Sequence, residues 1–227
     1  MKIKKLISAL VLGSMLVGLS GCNITDFSAE NLLRPPKAVG DEAEIEQLIA
    51  KTADSGYTLK YPKNGKFRSA IIMTDLDGND SNEAVAFFRN SDETSSVHML
   101  VMYSKDNSWE IASDNIFETT DIDSVDFADL TGNGKAEIIV NSTTYTPNVG
   151  KLSCYSYSEG KTTEVGSGQS CSSFVTGDFD NDGTSEIMSL VLYTTENEAL
   201  ASMLDYNEDS KSLYAKAMAN MDPNVVK

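Results

Sequence analysis

Histidine and tryptophan occur once each in these 227 residues, proline five times and cysteine three times. A single histidine, His98, excludes a site built from several imidazole ligands. No serine or cysteine stands in a recognisable nucleophile motif, and no glycine-rich phosphate loop is present. Basic residues are also scarce, with 18 Lys+Arg against 34 Asp+Glu and a net charge of −16. Nucleic-acid binding needs a basic surface, so that class is excluded. Beyond residue 22 no apolar run approaches the roughly 20 residues that span a bilayer. What remains is an acidic chain suited to a solvated exterior or to holding cations.

The N-terminus supplies its own address. Lys2, Lys4 and Lys5 precede an apolar run from Leu6 to Leu19, the layout of a secretory signal. The run ends in Leu19-Ser20-Gly21-Cys22, which resembles the lipobox of bacterial lipoproteins. The resemblance implies cleavage after residue 21, acylation of Cys22, and a membrane partner reached through the lipid on the extracytoplasmic side. Losing three lysines and no acids takes the net charge to about −19. Residues 22–40 are polar, carry Pro35-Pro36, and read as a lipidated tether.

Asp41 to Ala53 predicts a helix, with Ile45, Leu48 and Ile49 on one face and acids opposite. The segment 41–56 is set apart on that basis from 57–227, where a repeat begins. Its three members are Asp75-Leu76-Asp77-Gly78-Asn79-Asp80-Ser81-Asn82-Glu83, Asp129-Leu130-Thr131-Gly132-Asn133-Gly134-Lys135-Ala136-Glu137 and Asp178-Phe179-Asp180-Asn181-Asp182-Gly183-Thr184-Ser185-Glu186. Their first aspartates are 54 and 49 residues apart. Counting 28 residues on from each gives Tyr103, Tyr157 and Tyr206, each before a polar turn; counting 25 gives Leu100, Cys154 and Met203.

Apolar stretches enter and leave each acidic loop, and a hairpin follows. Four short strands per ~50 residues predict an all-β chain, a partial β-propeller of about three four-stranded blades plus the short helix. Closed propellers have roughly four to eight blades. Three units therefore predict an incomplete ring, finished by further chain or covered by another subunit; the alternative is a small, open or irregular sheet stack capped by the Asp41 to Ala53 helix. Cys154 and Cys171 are an even pair suited to an extracellular disulfide. The register of Cys154 with Leu100 and Met203 instead favours a buried free thiol.

In the third loop, carboxylates stand at positions 1, 3, 5 and 9, namely Asp178, Asp180, Asp182 and Glu186, with Gly183 at position 6. Calcium takes about six to eight oxygens, and alternating aspartates on a tight turn aim several at one point. The glycine brings in a backbone carbonyl, assigned to Thr184. The loop resembles the calcium loops of FG-GAP and VCBS repeats, as in integrin α-subunit propellers. That resemblance implies a calcium-stabilised propeller used for adhesion or ligand recognition. The first loop offers Asp75, Asp77, Asn79 and Glu83, with Asp80 in the glycine position. The second offers Asp129, Thr131, Asn133 and Glu137, only two of them charged. Turn formers alone also explain such loops.

The expected function is a membrane-anchored binding, adhesion or scaffold module for a protein or glycan ligand, without a catalytic constellation. One alternative is a carbohydrate-active or other hydrolase with a site at the propeller mouth, which a pocket of convergent acids and aromatics would favour. Another is an extracytoplasmic sensor or assembly subunit of a membrane complex, which an exposed apolar patch would favour.

Overall fold

The computed structural model describes residues 40–54, 56–146, 148–193, 197–222 and 224. The signal segment, Cys22 and nearly all of the tether lie outside the described residues.

The described chain is mostly β with one helix. Helix α1 spans Asp41–Ala53, starts after Gly40 at φ 64, and carries Asp41, Glu42 and Glu44 in its first turn and Lys51 in its last. That charge order complements the helix dipole. Thirteen strands follow: β1 Tyr57–Leu59, β2 Ile71–Thr74, β3 Glu83–Asn90, β4 Val97–Lys105, β5 Ser108–Phe117, β6 Ile122–Ala128, β7 Glu137–Thr143, β8 Gly150–Ser158, β9 Lys161–Cys171, β10 Ser173–Gly177, β11 Glu186–Tyr193, β12 Glu198–Asn207 and β13 Ser212–Met221. They form three antiparallel meanders, none closed on itself: β1/β2-β3-β4-β5, β6-β7-β8-β9 and β10-β11-β12-β13.

The first sheet has four strand positions although it holds five strands. β1 and β2 lie end to end on the same edge of β3, Leu59 opposite Phe88 and Ile71 opposite Ala86. Phe87 is the junction: its carbonyl accepts the Lys60 N–H and its own N–H donates to the Ala70 carbonyl, both at 2.8 Å. The intervening excursion docks on β6. The N–H groups of Lys63 and Asn64 donate to the carbonyls of Ile122 and Asp123 at 3.2 and 2.7 Å. Lys60 and Lys63 pair with Asp121 at 2.8 and 3.1 Å, and Phe67 meets Phe127 edge-on at 4.9 Å.

Side chains alternate faces along a strand, and the cores follow that rule. On β3, Ala84, Ala86 and Phe88 face Ile45, Ile49 and Ala53 of α1. Val85 and Phe87 join Ile138, Val140 and Tyr155 between the first and second sheets. Ile139, Leu152 and Cys154 meet Ile187, Leu204 and Leu213 between the second and third. A buried isoleucine or phenylalanine contributes about 1.5–3 kcal/mol, so these layers hold the stack together. The far face of the third sheet has no such partner among the described residues: Met188, Leu190 and Met203 are half-buried, and Val175 is 58 % exposed.

Pairing corrects one part of the repeat register. Ala84 stands opposite Met102 in the first sheet, whereas Ile138 stands opposite Tyr155 and Ile187 opposite Leu204. Relative to the loops, the β3–β4 hairpin is one residue longer than its two counterparts. A one-residue offset turns every side chain to the other face. Leu100 accordingly packs toward α1 while Cys154 packs toward the third sheet, and Met203 lies on the open face. The residue of β4 that matches Cys154 is Val101.

Cys154 and Cys171 are both free and buried, as the core reading of Cys154 expects.

Candidate metal centre

The three acidic loops sit at the same end of their sheets, where β2, β6 and β10 hand over to β3, β7 and β11. They share one backbone scaffold. The position-1 aspartate accepts N–H groups from positions 5 and 6: Asn79 and Asp80 to Asp75 at 3.2 and 2.9 Å, Asn133 and Gly134 to Asp129 at 3.1 and 2.8 Å, Asp182 and Gly183 to Asp178 at 3.1 Å each. Position 5 then accepts the N–H of position 7, as Asn79 does from Ser81, Asn133 from Lys135 and Asp182 from Thr184. Positive φ recurs at positions 4 and 6: Gly78 and Asp80, Gly132 and Gly134, Asn181 and Gly183. Asp80 adopts φ 66 in the place of glycine, which aspartate tolerates better than most residues.

Position 9 opens the next strand and is buried in each loop, with Glu83 at 3 % exposure and Glu137 and Glu186 at 0 %. One oxygen of each accepts the N–H of position 2 (Leu76, Leu130, Phe179) at 2.8 Å. Neighbouring loops are also tied together. Ala136 N–H donates to the Leu76 carbonyl at 2.9 Å and Ser185 N–H to the Asp129 carbonyl at 2.8 Å.

The loops differ in the second glutamate oxygen. In the second loop Thr131 Oγ1 donates to Glu137 Oε1 at 3.1 Å. In the third loop Glu186 Oε1 is buried without a hydrogen-bond partner among the described residues, and in the first the same holds for Asp77 Oδ1. Leaving a buried carboxylate oxygen unpaired costs on the order of 1–3 kcal/mol or more. Asp178, Asp180, Asp182 and Glu186 each bring an oxygen within 4.8 Å of the others, and Asp75, Asp77 and Glu83 do likewise. The second loop assembles no such trio, because only Asp129 and Glu137 are carboxylates and the position-3 hydroxyl of Thr131 donates to Glu137.

The electrostatics follow the geometry. Burial pushes the Glu83 carboxyl up despite the Leu76 N–H, and the charges of Asp77 and Asp75 push it further. Burial also raises Glu137, against three hydrogen bonds from Leu130 and Thr131. For Asp75 burial is the largest single influence and raises it, but the combined N–H groups of residues 77 to 80 win and lower it. Asp182 is held low by the Thr184 hydroxyl at 2.5 Å and the Thr184 N–H.

Sequence reasoning missed one member of this neighbourhood. Lys216, on β13, reaches Asp180 and bonds Asp205 at 2.9 Å. Those two hydrogen bonds raise its ammonium well above the usual lysine range. Lys216 lies 36 residues from Asp180 and reaches it only through the β12–β13 pairing, which shifts register between Met203 and Leu204; no local signal announces it.

His98 is buried in a structural cluster. Nδ1 faces both oxygens of Asp114 at 2.9 Å, Nε2 faces Glu93 Oε2 at 3.1 Å, and the ring stacks on Phe88 at 4.8 Å. Nothing among the described residues points to catalysis. The chain matches no protein-family model and no curated protein.

Proposed function

We propose that this chain is a lipid-anchored extracytoplasmic lipoprotein whose folded part is a three-bladed propeller segment, stabilised by calcium and used as a binding or scaffold module. The carrying observation is Glu186. Its Oε1 is buried and unpaired among three further carboxylates, an arrangement that a divalent cation relieves. Asp178, Asp180, Asp182, Glu186 and the Thr184 carbonyl are the ligands we assign, with Asp75, Asp77, Asn79 and Glu83 forming a second site. The second loop, its glutamate satisfied by Thr131, holds no metal in this reading. Calcium suits the donor set because every group is an oxygen on a flexible turn. The sheets in a row, with homologous loops at one end, support the propeller reading.

The test is thermal unfolding in millimolar calcium against chelator. A ligand at a hundredfold its Kd adds about 2.7 kcal/mol, a rise of several degrees; an unchanged midpoint refutes the site. The anchor is tested separately. Cys22→Ser should abolish fatty-acid labelling and release the protein from the membrane fraction, and a mutant that keeps its label refutes the lipobox.

A second reading, as an assembly subunit of a membrane complex, draws on the open face of the third sheet, where Val175 and Met221 are 58 % and 40 % exposed. Crosslinking at Val175 in native membranes tests it, and failure to trap any partner counts against it.

A further inference from the structure

The sheet end opposite the acidic loops carries a cleft of about 430 Å³, to which all three sheets contribute. This lies in the range of small-ligand sites. Asn64 comes from the excursion of the first sheet. Asp123 and Asn141 come from the second, together with Thr146 of the β7–β8 connection. Ser173 opens β10 of the third.

Asn141 is 1 % exposed. Its amide nitrogen donates to Asp123 Oδ2 at 3.3 Å and to the Cys171 carbonyl at 3.4 Å, which fixes which way the amide points. Its Oδ1 is buried with no partner. That oxygen lies against Gly150, where a Cβ would stand only 2.3 Å away, so the wall is built around an acceptor that nothing among the described residues satisfies. Asp123 beside it is different. It already accepts from Asn64 at 2.9 Å, Ser124 at 3.0 Å and Asn141.

We propose that this cleft binds a neutral polyhydroxylated ligand, one monosaccharide unit of a glycan, whose hydroxyl donates to Asn141 Oδ1. The proposal deepens the binding-module reading and rests on it. A hydroxyl fits where an ammonium does not, because the local carboxylate is hydrogen-bonded on both oxygens and the orphan acceptor is uncharged. Hydroxyls on Thr146 and Ser173 can donate or accept, matching the two-way hydrogen bonding of a sugar. Val149 and Leu192 also line the cleft and supply apolar surface for the C–H face of a pyranose. Tyr145, between lining residues Thr144 and Thr146, is 91 % exposed and available to stack on a following unit.

The test is saturation-transfer NMR on the full-length protein with glucose, galactose, mannose and N-acetylglucosamine at millimolar concentration, and with n-butylamine as the cationic control. At least one sugar should receive saturation, and n-butylamine should not. Asn141→Leu should weaken binding at least fivefold. Because that residue is buried, Thr146→Val and Ser173→Ala at the exposed rim provide a second pair, each expected to weaken binding about twofold or more without changing the unfolding midpoint. Silence from all four sugars overturns the proposal. So does equal binding by the rim variants, or a preference for n-butylamine. The calcium midpoint shift is read on the same samples. A calcium shift without sugar binding overturns the cleft alone, and sugar binding without a calcium shift overturns the metal reading alone.

Discussion

Thr131 Oγ1 donates a 3.1 Å hydrogen bond to Glu137 Oε1, and the equivalent oxygen of the third loop, Glu186 Oε1, has no donor among the described residues. One residue type at position 3, threonine or aspartate, separates a self-satisfied turn from one that calls for a cation.

The two loops should therefore be interchangeable. Asp180→Thr should let the new hydroxyl satisfy Glu186, a gain in chelator partly offset by loss of the exposed Lys216–Asp180 pair, and should remove most of the third loop's calcium response. Thr131→Asp should do the reverse, lowering stability in chelator by about 1–3 kcal/mol through an unpaired buried glutamate oxygen and creating a new calcium response. Differential scanning calorimetry of both variants, with and without calcium, checks the pair. Parallel behaviour of the two variants would contradict the argument.

Lys216 is the resident cation of the third loop. Removing it with Lys216→Gln should lower the unfolding midpoint in chelator, because Asp180 and Asp205 lose their shared partner. The same change should tighten calcium binding, because the ion no longer displaces an ammonium. Calorimetric titration with calcium measures this, and weaker binding in the variant would count against a competitive role.

Asp121 fastens the excursion between β1 and β2. Burial pulls its carboxyl up, but the ammonium groups of Lys60 and Lys63 pull harder, and the net direction is down. A depressed carboxylate stabilises the fold above its unfolded value of about 4 and loses that contribution as pH falls through the lower folded value. Asp121→Asn should cost on the order of 1 kcal/mol at pH 7, since the pair is partly solvated. The gap from the parent should close below pH 4. Urea unfolding across pH 2.5–7 checks it, and a gap that persists at the acid end would show the pairing to be incidental.

Gly132 couples the second loop to the third. It has φ 69, and a Cβ there would lie 2.7 Å from Thr184 Cγ2. Gly132→Ala should destabilise the chain by about 1–2 kcal/mol. It should also reduce the third loop's calcium affinity, because Thr184 must move while its N–H and hydroxyl hold Asp182. Titration of the variant with calcium tests the second effect.

Burial raises both thiols, Cys171 to about 12 and Cys154 further. Both should resist a water-soluble maleimide at pH 8 in the folded protein and react together on unfolding. Prompt labelling of either in the native state would contradict their burial.

Much of this was legible beforehand because it is local. The loops announced themselves by Asp, Asn and Gly at fixed offsets, and those residues perform the same bonds in all three. Helix α1 was legible from Ile45, Leu48 and Ile49 on one face and the acids opposite. The missed features are non-local. The division between β1 and β2 depends on Phe87 accepting Lys60 and donating to Ala70, a pairing that no periodicity in residues 57–74 records. The 28-residue tyrosine register held in sequence, yet one extra residue in the β3–β4 hairpin placed Tyr103 and Tyr157 in the same inter-sheet core from opposite sides. Counting along the chain cannot reveal which face a residue takes after a hairpin whose length varies. The orphan oxygen of Asn141 was equally invisible, since it depends on the approach of Gly150.

Helix α1 covers the outer face of the first sheet, and among the described residues nothing covers the far face of the third. Open-ended assemblies grow when a surface of one molecule fits a different surface of the next. The helix thus blocks one mode of contact: the third sheet of one molecule cannot stack on the outer face of the first sheet of the next while Ile45 and Ile49 occupy it.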